Sequence, residues 1–242
     1  LLHDSSVIAW RNLLRFKRNP EVLFFDVVQP IIFILLFAYV FGGAIDVGDS
    51  SYRSFLIPGI FVQTIAFAGA SAAIGLNADM TSGIIDRFKS LPMNTTGVLL
   101  GQNFADLVRS VITLFIMSLT GFAIGWRISG GFTNAVIGYL LLLAFGFSMA
   151  WIGSTIGLSV SSPQVASTAG FAWLFPLTFL SNAFVPTETL PTWLRFFAEW
   201  NPITSIVAAA RYLFGYPMQV APDAPYSLQH PIITTIVWLV VI

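Results

Sequence analysis

The chain has 242 residues, 56% of them apolar and only 9% charged, with 11 Lys and Arg against 11 Asp and Glu, two His and no Cys. An ordinary soluble domain carries roughly a quarter of its residues as charges, so too little polar surface is present to wrap a single water-exposed core, and lipid is expected to be the main solvent. The missing Cys excludes a disulfide framework, a thiolate metal site and a cysteine nucleophile, and the zero net charge speaks against nucleic acid as a partner.

A transmembrane helix needs about 20 mostly apolar residues, so this length holds about six with short connections. A charge at mid-bilayer costs about 2.5–3.5 kcal/mol, which makes charge-free stretches the ruler for spans. Residues 1–20 come first and are basic. Arg11, Arg15 and Arg18 recur at i, i+4, i+7, with Trp10, Leu13, Leu14 and Phe16 on the opposite side. That pattern predicts an amphipathic helix lying in the interface, its basic face toward anionic lipid, although a basic flank that only sets topology carries the same charges. Asn19-Pro20 is expected to end it.

Spans are then expected near 24–43, 55–77, 106–125, 134–159, 165–184 and 230–242. No charge occurs from Ile128 to Thr187, and the breaker cluster Ser161-Ser-Pro-Gln164 divides that stretch into two spans. The segment 79–105 is expected to be a loop on one side of the membrane. On the other, 185–229 is long and aromatic for a loop. Trp193, Phe196, Phe197 and Trp200 share one face opposite an Arg195/Glu199 pair, and Asn201-Pro202 breaks this helix before a second one ending at Gly215. An interfacial or re-entrant helical pair is expected there, or a plain aromatic belt. The last run, Pro231 to Ile242, is apolar throughout, and the chain starts without Met, so both ends are expected to continue in the natural protein. No secretory signal is expected.

Arg11, Arg15, Lys17 and Arg18 precede the first span, and Arg87, Lys89 and Arg109 lie in or beside the second connection. Arg53, Arg127, Arg195 and Arg211 are assigned to loops on the opposite side. The positive-inside rule then puts the amino terminus, and with six spans both termini, in the cytoplasm.

The search for chemistry returns little. There is no His-Glu-x-x-His, and His3 and His230 stand at opposite ends. Gly69-Ala-Ser71 and Gly146-Phe-Ser148 have no histidine to activate a serine, and Gly121/Gly125 and Gly153/Gly157 have the spacing of close helix approach. Gly83 to Ser90 misses a phosphate loop because Phe88 stands where glycine must wrap the phosphate. No catalytic or metal residue is assigned. Asp26, Asp79 and Asp106 are expected near span ends, leaving no mid-membrane acid to couple an ion gradient. Gln63, Thr64, Thr113, Ser148, Thr168 and Thr178 are the polar mid-span groups. An aromatic, polar-poor interior suits amphipathic cargo, with energy supplied from outside the chain.

The loop Gly83-Ile-Ile-Asp-Arg-Phe-Lys-Ser-Leu-Pro-Met93 resembles the cytoplasmic signature of ABC-2-type transporter permeases, in particular the membrane subunits of daunorubicin-resistance-type drug exporters. Phe184-Val-Pro186, Leu190-Pro-Thr-Trp-Leu194, Trp200-Asn-Pro-Ile-Thr204 and Ala209-Ala-Arg-Tyr-Leu-Phe-Gly215 follow in the same order. The likeness covers essentially all of residues 1–242 as a single all-α transmembrane domain.

The resemblance implies a permease in the bacterial inner or plasma membrane, working as a dimer, most simply a homodimer, with two separate ATP-binding subunits. Export of a hydrophobic small molecule or lipid is the activity it implies. Polysaccharide export, or an ATP-independent channel or carrier, are the alternatives. ATP and magnesium belong to the partner, with no cofactor in this chain. Asp86, Arg87, Phe88, Lys89, Ser90, Leu91 and Pro92 are then the coupling segment, the charges pairing with the ATPase while Phe88, Leu91 and Pro92 anchor in its groove. Spans two and five are implied to line the path, with Gln63, Thr64, Phe67, Phe171, Phe175 and Phe179 as lining residues, though the Phe side chains can equally face lipid.

Overall fold

A computed structural model describes residues 2–18, 20–41, 52–85, 95–187, 190–217 and 224–242, and among these helix is the only regular structure. The elements are α1 (Leu2–Arg18), α2 (Pro20–Leu36) continuing into a π turn (Phe37–Phe41), α3 (Tyr52–Thr81), α4 (Thr95–Ala123), α5 (Phe132–Ser159), α6 (Pro163–Phe179), α7 (Thr192–Glu199), α8 (Pro202–Phe214), α9 (Tyr226–Gln229) and α10 (Pro231–Val241). The helices α3, α4 and α5 are each long and apolar enough to cross a membrane, and Val27–Val40, Pro202–Phe214 and Pro231–Val241 are shorter apolar stretches. Phe25, Phe115, Leu140 and Val240 lie between 60% and 82% exposed. In water such side chains would be costly at about 25 cal/mol per Å²; against acyl chains they cost nothing.

Proline marks the starts. Pro163, Pro202 and Pro231 each open a helix, where a missing N–H is no loss. Ser162 caps α6 by accepting from the Val165 amide at 3.3 Å, so the expected break between the fourth and fifth spans is a built helix start.

The central element is α3, which packs against α5 and α6 and also touches α2, α4 and α8. Its contact with α5 is a backbone approach through small residues. A Cβ on Gly157 would lie 2.6 Å from the Ala73 carbonyl oxygen, one on Gly69 would lie 2.6 Å from that of Met149, and one on Gly153 would fall onto the Gly69 carbonyl. Helices in lipid associate through this kind of packing, since apolar burial offers no drive there. Gly121/Gly125 does not repeat the pattern. Gly125 lies beyond the end of α4 with φ +96°, and its role is the left-handed turn that folds Trp126 back against Phe61 and Phe214.

One end of the bundle gathers the start of α4, the end of α3 and α1. Ser5, Ile8 and Asn12 form the buried face of α1, set on α4 where Gly101 lets the Ser5 carbonyl approach. Arg11 is turned inward to Asp79, with Nη2 to Oδ2 at 2.5 Å, while Arg18 is exposed. The Arg15 side chain lies outside the described set. Asn77 donates to the Gly157 and Val160 carbonyls at 2.9 and 2.7 Å, closing the end of α5 onto α3.

At the other end α7 and α8 behave differently. Trp193, Phe196 and Phe197 are exposed on α7, and Arg195 Nε meets Glu199 Oε1 at 2.6 Å, the face and pair expected from the spacing. The helix α8 is instead almost wholly buried. Asn201 ties it down: its Oδ1 accepts from the Ile203 amide at 2.8 Å, and its Nδ2 donates to Leu177 and Leu180 carbonyls at 2.6 and 2.7 Å. Gly215, at φ +91°, terminates it.

Arg211, on the second helix of the expected outer pair, is fully buried and not interfacial. Its Nε donates to the Phe55 carbonyl at 2.8 Å, its Nη2 to those of Asn182 and Ala183 at 2.8 and 3.1 Å, and its guanidinium stacks 3.6 Å from the centroid of the Phe55 ring. Backbone carbonyls and a π-face substitute for water, which is what lets the charge be buried. The expected loop 79–105 is also shorter, since α3 runs to Thr81 and α4 begins at Thr95. Consequently Asp106 and Arg109 lie inside α4 and not at its start.

Candidate functional site

A cleft of about 130 Å³ lies between α2, α3, α4 and α6. Gln29, Pro30 and Phe33 come from α2, and Ile60, Gln63, Thr64, Phe67, Ala68 and Ser71 from α3. Arg109, Ser110 and Thr113 come from α4, and Phe171 from α6. All of these positions stand near the middle of their helices, so the cleft lies at mid-height in the bundle. Pro30 contributes to it structurally, because a proline inside α2 removes one helical donor and disturbs the turn before it.

The α4 wall follows from a periodicity. Gln102, Asn103, Asp106, Arg109, Ser110 and Thr113 fall on one face at helical spacing, and all six are buried. A helix in lipid turns its polar face inward, because only there do the groups find partners. Asn103 Oδ1 accepts from Ser154 at 3.2 Å, and Gln102 donates to the Ala72 carbonyl at 3.3 Å. Arg109 Nη2 meets Asp106 Oδ1 at 3.2 Å, one turn apart on the same helix. Neutralising each other, the two side chains let the apolar helix α4 run through them. Asp106 is therefore a buried acid inside a long apolar helix.

The aromatic walls continue beyond the cleft. Phe67 meets Phe171 at 5.7 Å and Phe175 at 5.3 Å, edge to face. Phe171, Phe175, Phe179 and Phe184 then follow at 5.8, 6.2 and 5.6 Å. Phe184 stacks on Phe37 at 5.1 Å, and Phe37 on Phe33 at 5.7 Å. Rings from α2, α3 and α6 thus form a chain leading from the cleft toward the α7–α8 end and back. Such pairs contribute about 0.5–1.5 kcal/mol each beyond buried area, and they offer a polarisable surface with few hydrogen-bonding demands.

Of the residues expected to line a path, Gln63, Thr64, Phe67 and Phe171 are brought together in the cleft wall. Phe175 and Phe179 are not in it; they stand on the aromatic chain, 46% and 56% exposed. Asp86, Arg87, Phe88, Lys89, Ser90, Leu91 and Pro92 lie outside the described residues. Sequence reasoning missed Gln29 and, above all, Arg109, which it counted as a topogenic charge. The signal was there, in polar residues every three or four positions from 102 to 113. Among the described residues no group of three or more His, Cys, Asp or Glu could hold a metal ion.

A bundle of long apolar helices, lipid-exposed aromatics and a mid-height cleft with a polar wall define a multi-pass membrane protein. Residues 4–214 match the family model described as ABC-2 type transporter. The chain belongs to that family. It is 36% identical over 204 residues to the daunorubicin resistance ABC transporter permease protein DrrB1 of Streptomyces coeruleorubidus, covering 84% of this chain and 72% of that one. It is 27% identical over 232 residues to the doxorubicin resistance ABC transporter permease protein DrrB of Mycobacterium tuberculosis, covering 93% and 80%.

Proposed function

We propose that this chain is the membrane-spanning subunit of an ATP-driven exporter that moves a hydrophobic or amphipathic small molecule, or a lipid, outward by alternating access. The observation that carries the reading is the mid-height cleft, with Gln63, Thr64, Phe67 and Phe171 in its wall, in a chain of the ABC-2 family. The named relatives are permeases of daunorubicin and doxorubicin resistance, which favours small apolar cargo over long polysaccharides.

In this reading six segments span the bilayer: α2 with its π turn, α3, α4, α5, α6 and α10. Both termini lie in the cytoplasm, and α7 and α8 form the outer helical pair. Two permease copies, most simply identical, work with two ATP-binding subunits that hold ATP and magnesium. Residues 1–242 act as one transmembrane domain. Asp86, Arg87, Phe88, Lys89, Ser90, Leu91 and Pro92 form the foot inserted into the ATPase. Closing of the ATPases moves that foot and, through α1 with its basic residues Arg11, Arg15 and Arg18, the ends of α3 and α4. Phe175 and Phe179 extend the path along α6.

The test is transport in inside-out vesicles containing the full-length permease and its partner ATPase. ATP-dependent accumulation of an anthracycline or a fluorescent lipid is expected, and Phe88→Ala should lower it at least tenfold while leaving assembly in the membrane unchanged. Accumulation that persists without ATP or without the partner would remove the reading.

A further inference from the structure

Two hydroxyls of α4 are spent on the helix itself: Ser118 donates to the Leu114 carbonyl at 2.7 Å and Thr120 to that of Ile116 at 3.1 Å. Two turns earlier, Ser110 and Thr113 make no such bond, and the Gln63 amide on α3 likewise has no hydrogen-bond partner among the described residues. These three side chains are only 6%, 5% and 5% exposed, and all of them line the cleft. A polar group buried in apolar surroundings without a partner is costly. Three in one wall therefore mark a place where an occupant supplies the missing hydrogen bonds.

The wall's chemistry narrows that occupant. Each hydroxyl can donate and accept, and the Gln63 amide offers two N–H donors and a carbonyl, a set that matches uncharged oxygen substituents. Ser110 and Thr113 share a face of α4, which puts their Cβ atoms about 5–6 Å apart, comparable with two oxygens set 1,3 on a six-membered ring. Phe33, Phe67 and Phe171 also line the cleft, Phe67 edge to face with Phe171 at 5.7 Å, and such rings take up a further flat ring in stacked or edge geometry. The volume is about 130 Å³, and a cavity of about 150 Å³ holds benzene. One six-membered ring fits, and anything larger must extend through the mouth. A sugar ring carries more hydroxyls than three partners can satisfy, whereas an aromatic ring with one or two oxygens leaves none stranded.

We propose that the cleft binds one uncharged aromatic ring bearing hydroxyl or carbonyl oxygens along one edge. That edge bonds to Gln63, Ser110 and Thr113, and the ring packs on Phe67 and Phe171. The proposal deepens the exporter reading by naming the part of the cargo that is held, and rests on it for the site's purpose. Binding itself needs neither ATP nor the partner.

The experiment uses the full-length permease in phosphatidylcholine nanodiscs at pH 7 and three probes with one common alkyl tail. Their terminal rings are 3,5-dihydroxyphenyl, 3,5-dimethylphenyl and 3,5-dihydroxycyclohexyl, each with a photo-activatable diazirine two carbons away. A phenol ionises at about pH 10, so all three are uncharged. Labelled peptides are mapped by mass spectrometry, and labelling at Phe67 or Phe171 is divided by that at the exposed Phe115 to remove differences in partitioning. The dihydroxyphenyl probe should exceed the dimethylphenyl probe, its match in shape, at least tenfold, and the cyclohexyl diol at least threefold. Ser110→Ala/Thr113→Val should bring its ratio down to the dimethylphenyl level. Since neither hydroxyl holds another group, the unfolding midpoint of that variant should stay unchanged or rise. Gln63→Leu, on the other helix, should lower the ratio at least threefold. Equal ratios for the dihydroxyphenyl and dimethylphenyl probes would mean a cleft filled by water alone and overturn the proposal. So would a cyclohexyl diol that labels as strongly, an unchanged preference in either variant, or a fallen midpoint in the double one. None of these results touches ATP-driven transport, so the exporter reading fails or stands on the vesicle assay alone.

Discussion

Arg211 and Arg109 are both buried in apolar helices, and they are buried in different ways. Arg211 is held by three backbone carbonyls and a phenyl face, contributed by α3 and by the turn after α6. Its work is to pin α8 into the end of the bundle. Arg109 is paired with a carboxylate on its own helix and forms part of a cleft wall. One charge is wrapped by backbone from distant segments; the other is neutralised along its own helix.

The contrast can be broken most directly at Arg211. Arg211→Met leaves the Phe55, Asn182 and Ala183 carbonyls without these donors, at about 1–3 kcal/mol for each buried group left unsatisfied. The thermal unfolding midpoint in detergent should fall by roughly 10 °C or more, and an unchanged midpoint would show the clamp to be dispensable. Next in size is Gly153→Ala. Its methyl meets the Gly69 backbone, so α3 and α5 must separate, at about 1–3 kcal/mol, again read as a lowered midpoint. Gly75→Ala, whose Cβ would meet only the movable Gln102 amide at 3.3 Å, should be tolerated.

Smaller effects are expected around the cleft, and on a different readout. Phe67→Ala removes a ring that contacts both Phe171 and Phe175, and the efficiency of ATP-driven transport should drop about two- to tenfold, the equivalent of about 0.5–1.5 kcal/mol. Phe179→Ala, further along the ring chain and more exposed, should cost less. The smallest stability change is expected for Asp106→Asn/Arg109→Gln. Removing a buried ion pair as a unit is often neutral, so the midpoint should shift by no more than about 1 kcal/mol equivalent. A loss as large as that of Arg211→Met would show that the pair, too, holds the fold together.

The legible features were those that a single segment decides. The order of apolar segments, the breaks at Pro163 and Pro202, the aromatic face of α7 and the Arg195–Glu199 pair all follow from local spacing. The grouping of Gln63, Thr64, Phe67 and Phe171 came from the family resemblance, which implies that spans two and five line the path, and not from any one segment. Phe175 and Phe179 stand on the same helix as Phe171, yet they are not part of the cleft wall. Counting charges as loop markers failed at Asp106, Arg109 and Arg211, since each has found a partner that the count does not see.

Composition and charge alone determined that lipid is the main solvent and that the chain is helical, and the ordered motifs alone pointed to the family. These conclusions need only sums along the chain, because the cost of exposing a charge or a backbone group to hydrocarbon is paid within one segment. Which arginine is wrapped by backbone and which stands in a cleft wall was decided by the tertiary structure. Arg211 reaches a carbonyl 156 residues away, and the cleft takes its wall from four helices; no local pattern encodes which distant groups will share the same small volume.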